Sequence, residues 1–121
     1  MPSLENIYLG NPNLKKANTP IEFTQEQILE FVACRHDPVY FAEKYIKIVT
    51  LDHGLQPFAM YDFQKKLIQN FHENRFNICK MPRQTGKSTT VVSYLLHYAV
   101  FNDNVNIGIL ANKAATARDL L

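Results

Sequence analysis

Met81-Pro82-Arg83-Gln84-Thr85-Gly86-Lys87-Ser88-Thr89 is the stretch on which the reading of this 121-residue chain turns. It contains Gly-Lys-Ser, the last three positions of the phosphate-loop pattern G-x-x-x-x-G-K-[ST]. The first glycine of that pattern is missing, and Met81 stands in its place. Three matching residues arise often by chance, so the flanks decide. Upstream, Asn74 to Lys80 reads as a strand, with Phe76, Ile78 and Cys79 apolar. Downstream, Val91, Leu95 and Ala99 repeat at helical spacing, as do Val92, Leu96 and Val100. Strand, loop, helix is the order that phosphate binding requires.

Each residue type has a chemical reason to be there. Gly86 lets backbone amides approach a phosphate without a side chain in the way. The helix that follows offers unpaired N–H groups and a partial positive charge to an anion. Lys87 is long enough to reach the outer phosphates, and the Ser88 hydroxyl is a hard oxygen ligand suited to magnesium. The peptide from Arg83 through Gln84, Thr85 and Gly86 to Ser88 and Thr89 is therefore expected to wrap the triphosphate of ATP. The competing reading is a turn before a helix, with Lys87 as a solvated charge. Arg83 has two readings of its own. A guanidinium inside the loop can stabilise charge on a transferring phosphoryl group, or it can be salt-bridged to the loop's surroundings. Lys87 and Arg83 are the candidate catalytic residues, and Ser88 is the candidate metal ligand.

Working outward, Phe63-Gln64 lies one helix before the strand. Glutamine carries a donor and an acceptor, which matches an edge of adenine. Phe63 or Tyr61 has the ring to stack on the base. Alone, Gln64 is an ordinary surface helix residue; beside a phosphate loop it becomes a candidate adenine reader. Past the loop's helix, Phe101-Asn102-Asp103-Asn104 reads as a turn. Val105 to Ala111 reads as a buried-type strand, and Lys113 to Leu121 as helical. The second half is thus a βαβ unit. The expected fold class is α/β: part of a RecA-like P-loop NTPase domain with parallel strands, preceded by N-terminal helices.

Three regions follow. Residues 1–22 hold Gly10-Asn11-Pro12-Asn13 and Thr19-Pro20, and read as an extended arm with little regular structure. Residues 23–60 form a helical lead-in. Thr24 with Gln27 makes a capping box, and Phe23 with Ile28 a hydrophobic staple. Pro38 ends that helix, and Asp37-Pro38 caps and opens the next. Ile46 to Leu51 reads as a short strand and Gly54 to Pro57 as a connection. Residues 61–121 begin the ATPase domain, with a helix over about Asp62 to His72.

Composition narrows the classes. The 13 basic and 11 acidic residues give a net charge of +2, which excludes a basic carpet for nucleic acid but permits the local patch from Lys80 to Lys87. Arg75, Lys113 and Arg118 are by default surface charges, too few and dispersed to argue DNA contact. Cys34 and Cys79 lie far apart and fit no zinc spacing; two lone cysteines suit a reducing compartment. Neither a signal peptide nor an apolar run of membrane-spanning length is read, so a cytosolic protein is expected.

The loop resembles the deviant Walker A of large terminase subunits from T4-type tailed bacteriophages, where an Arg-Gln pair precedes a variable residue and then Gly-Lys-Ser/Thr. The resemblance continues in Tyr8-Leu9-Gly10-Asn11-Pro12-Asn13-Leu14-Lys15-Lys16, in Asp37-Pro38-Val39-Tyr40-Phe41 and Lys44-Tyr45, in Tyr61-Asp62-Phe63-Gln64 and in Gly108-Ile109-Leu110-Ala111-Asn112-Lys113. It implies the N-terminal portion of a motor that couples ATP hydrolysis to packaging of double-stranded DNA into procapsids. It implies ATP and Mg2+ as cofactors. The implied partners are the portal protein, the small terminase subunit and further copies in a ring on the portal, in the cytoplasm of an infected bacterium with no membrane attachment. By residue it assigns phosphate and magnesium to Lys87 and Ser88, the cis-acting arginine to Arg83 and the adenine contact to Gln64. Walker B acids, coupling motif and nuclease carboxylates are not found in this sequence, so a fragment is expected, with little or no ATPase activity by itself. Two other readings stay open: part of a helicase-type nucleic-acid translocase, and a non-enzymatic module that docks a partner through its N-terminal helices.

Overall fold

The computed structural model describes residues 7–121. Helix α1 (Gln25–His36) starts where the sequence says it should. The Thr24 hydroxyl accepts from the Gln27 amide at 3.3 Å, and the Gln27 side chain accepts from the Thr24 amide at 3.0 Å. Asp37 closes α1 and opens α2 (Pro38–Tyr45) by accepting from the amides of Val39 and Tyr40. Two orphan donors are satisfied by one carboxylate, and proline occupies the first helical position, where no N–H is needed.

Strands β3 (Lys47–Thr50) and β4 (Gly54–Pro57) form an antiparallel hairpin, with Ile48 opposite Gln56. The expected strand is present; the expected connection at 54–57 is its partner strand. Helices α3 (Asp62–Glu73), α4 (Lys87–Phe101) and the short α5 (Ala114–Arg118) follow. The core sits where α2, β4 and α3 meet: Val39, Ala42, Phe58, Met60 and Ile68 are buried together, with Ile46, Ile48 and Tyr94 packed against them.

One expectation is corrected. The arm of residues 1–22 is not without regular structure: β1 (Ile7–Tyr8) and β2 (Asn11–Lys15) pair antiparallel. Leu9 and Gly10 both have positive φ (50° and 73°), the conformation that a tight two-residue hairpin turn demands. Residues 1–6 of that arm lie outside the described residues. The segments expected as strands, Asn74–Lys80 and Val105–Ala111, join neither of the two antiparallel hairpins among the described residues. A strand exists only through a neighbour's hydrogen bonds; apart from the Asn74 amide, which donates to the Asn70 carbonyl at the end of α3, neither segment makes backbone–backbone bonds among the described residues.

The helix expected after the loop is α4. Its buried face is polar: Thr90, Ser93 and His97 turn inward. Thr90 and Ser93 are accommodated because their hydroxyls donate to the carbonyls of Gly86 and Thr89, both at 2.8 Å. Of the apolar residues that marked the helix, Leu96 and Val100 are about half exposed, whereas Val92 and Leu95 are half-buried.

Candidate nucleotide site

The loop between residue 80 and α4 is shaped by its own hydrogen bonds. The Pro82 carbonyl accepts from the Thr85 hydroxyl at 3.0 Å. The Lys87 ammonium folds back to the carbonyls of Met81 (3.2 Å) and Pro82 (3.5 Å). Positive φ falls at Gln84 (60°) and Gly86 (74°), not at Met81. That explains why the first glycine of the usual pattern is dispensable here: the backbone turns left-handed at other positions.

Gly86 is the N-cap of α4 and supplies no capping side chain. The first α4 amide with an acceptor is that of Thr90, bonded to the Gly86 carbonyl at 3.0 Å. The amides of Lys87, Ser88 and Thr89 have no acceptor among the described residues. Three N–H groups at the positive end of a 15-residue helix therefore face outward unpaired. Arg83, Gln84, Ser88 and Thr89 are exposed, and Thr85 and Lys87 half-buried. Arg83 makes no salt bridge among the described residues.

Gln64 joins α3 to this loop. Its side-chain oxygen accepts from the Tyr61 amide at 2.9 Å, half of a capping box, and its amide nitrogen donates to the Gly86 carbonyl at 3.5 Å. It is buried, so the surface-residue reading of Gln64 gives way to a strut between the start of α3 and the phosphate loop. Tyr61 and Phe63 stack with ring centroids 5.9 Å apart and planes 8° from parallel.

A cleft of about 560 Å3 opens beside these groups. Phe63, Gln64, Gln84, Thr85, Gly86 and Thr89 line it, so six of the sequence-chosen residues converge. Arg83, Lys87 and Ser88 do not line it. Ser88 faces an adjoining hollow of about 340 Å3 shared with Lys47, Asp119 and Leu120. The remaining wall of the cleft comes from Ile48, Thr50, Gln56 and Phe58, on or just after the β3–β4 hairpin. Sequence reasoning did not place these residues at the site. The alternation in Ile46–Leu51 was its only signal, and that says nothing of where the hairpin leans.

The residues fit a phosphate chain: free helix-start amides, a glycine at close approach and a lysine within the loop. For Mg2+ the chain offers the Ser88 hydroxyl, which has no hydrogen-bond partner among the described residues. No group of three or more His, Cys, Asp or Glu side chains that could hold a metal occurs among the described residues. Magnesium at this site would take most ligands from phosphate oxygens and water, its usual habit.

Two networks brace the scaffold behind the loop. The Nε2 atom of buried His97 meets the Cys34 carbonyl at 2.8 Å, so this nitrogen carries the proton and ties α4 to α1. Burial pushes the His97 pKa below the usual histidine value, and nearby His72 adds to the effect. One turn earlier on α1, the Glu30 carboxylate accepts from Lys44, Tyr45 and Tyr40. These donors, Lys44 first, hold its carboxyl below the ordinary range. No family model matches the chain.

Proposed function

We propose that the chain is the ATP-binding N-terminal portion of a viral DNA-packaging motor, a terminase large subunit. The observation that carries the nucleotide reading is the uncapped start of α4, with three free amides behind a left-handed Gly86. The cleft between the loop, the Tyr61–Phe63 pair and the β3–β4 hairpin supports a purine site next to it. On this reading Lys87 and the amides hold the β- and γ-phosphates, Ser88 joins the magnesium shell and Arg83 faces the transferring group from solvent. ATP hydrolysis then drives double-stranded DNA through a portal on which copies assemble as a ring with the small subunit. The resemblance in the loop, Arg83-Gln84 before Gly86-Lys87-Ser88, is the support for the packaging role.

The α/β, P-loop assignment belongs to the same proposal. The exposed Leu96 and Val100 of α4 and the unpaired segments 74–80 and 105–111 have the composition of a helix laid on parallel strands. No helix among the described residues is long and apolar enough to cross a membrane, and the cytoplasm of an infected bacterium is the proposed location.

Titration of the chain with ATP and Mg2+ tests the nucleotide reading. Lys87→Ala should weaken binding at least about tenfold, the size of a lost charge-assisted contact, with the melting temperature little changed. Equal affinity in both proteins, or none in the parent, would overturn it.

A further inference from the structure

We propose that Gln56, on the inner face of the β3–β4 hairpin, is the side chain that reads the edge of the nucleotide's base. The inference rests on the nucleotide reading of the cleft and deepens it. The pleat places Gln56 there. Alternate residues of a strand face opposite ways, and Ile48 and Thr50 are half-buried while Lys47 and Val49 are exposed. Gln56 pairs with Ile48 across the hairpin and shares its face, half-buried between exposed Leu55 and Pro57. All three inward residues line the cleft.

The other polar groups in the cleft are occupied, belong to the phosphate loop or, like the Tyr61 hydroxyl, stand exposed to solvent. The Thr50 hydroxyl donates to the Gly54 carbonyl and accepts from the His53 amide. Thr85 donates to Pro82. Gln64 has its oxygen on Tyr61 and its nitrogen on Gly86. Gln84 and Thr89 are exposed at the phosphate end. Gln56 alone combines half-burial, a place on the hairpin wall and a carboxamide with no hydrogen bond among the described residues. A glutamine amide can meet the amino group and a ring nitrogen of adenine together. The parallel rings of Tyr61 and Phe63 line the same cleft and offer a flat surface to the base.

The test is calorimetric titration of the full chain, with Mg2+, against three ligands: ATP, purine riboside triphosphate, which lacks the 6-amino group, and inorganic tripolyphosphate. Gln56→Met keeps the side chain's length and removes both hydrogen-bonding groups. It should weaken ATP about five- to tenfold, the worth of a lost hydrogen bond or two. The loss should be less than half as large for purine riboside triphosphate, and absent for tripolyphosphate. Unchanged ATP affinity, or equal losses on all three ligands, overturns the assignment. A second variant, Gln56→Ala, must follow the same pattern, which separates lost base contact from a methionine blocking the cleft. Lys87→Ala keeps the two readings apart. If tripolyphosphate binds and needs Lys87 but ATP binds no better, the base site alone is wrong. If Lys87→Ala leaves tripolyphosphate affinity intact, the phosphate loop itself has been misread and both ideas fall.

Discussion

Gly86 carries two constraints at once. Its φ of 74° lies where side chains other than glycine are strained, and a Cβ there would come within 2.7 Å of the Gln64 amide nitrogen. Gly86→Ala should therefore lower stability by about 1–2 kcal/mol, a drop of several degrees in the melting temperature. It should also break the contact between α3 and the loop. A melting curve identical to the parent's would mean that the backbone there relaxes freely. This residue was legible in the sequence, since Gly-Lys-Ser after an apolar run marks it. Gln84 was not: nothing in a glutamine announces a positive φ, so the tolerance for Met81 in place of a glycine had no sequence-level account. His97 was one of four scattered histidines with no pattern to single it out. Because burial depresses its pKa in the fold, its contribution is complete above the unfolded value near 6.5 and is lost as pH falls through the lower folded value. Thermal melts should show stability declining below about pH 6.5. His97→Gln, which can still donate to Cys34, should flatten that decline; a slope unaltered by the substitution would assign it elsewhere.

At the scale of elements, helix ends were the most readable feature. The capping box at Thr24 and the Asp37-Pro38 start are present because they depend only on residues three or four apart. Asp37→Ala strips acceptors from two amides and should cost about 1 kcal/mol, within a range of about 0.5–2, measured by urea unfolding; Asp37→Asn should recover most of it. Strands were less readable because their existence depends on a partner remote from the local pattern. The turn chemistry around Gly10 was visible, yet whether Tyr8 would meet Asn11 was not. Gly54–Pro57 looked like a link because it is short and lacks β-branched residues. In α4 the periodicity identified a helix, but it did not mark Thr90, Ser93 and His97 as the buried residues. Hydroxyls bonded to the helix's own carbonyls are as acceptable beneath neighbouring helices as apolar groups, and a hydropathy pattern does not register that.

For the molecule as a whole, the accessible surface is 10324 Å2. A compact protein of 14.0 kDa exposes about 6,700 Å2 by the usual size scaling. The excess includes large apolar side chains: Phe76 at 82%, Ile78 at 100% and Leu110 at 94% exposure. An apolar fluorescent dye should bind and brighten strongly, and light scattering should rise with protein concentration. Leu96→Glu together with Val100→Glu should reduce both signals while leaving the melting temperature within a few degrees, since neither side chain is buried. Dye binding unaltered by this pair would place the sticky surface elsewhere. Composition did reveal that a core would exist. It did not reveal how few residues would close it.

The backward fold of Lys87 onto Met81 and Pro82 sets a rule for any anion that arrives. The ammonium already holds two oxygens of the peptide chain, so capture is a trade of one set of acceptors for another. A halide, with no directional oxygens to offer, has little means of drawing the lysine away, whereas a ligand presenting several oxygens at once can replace what it displaces. Selectivity for polyanions is in that sense written into the resting posture of one side chain, before any pocket wall is consulted.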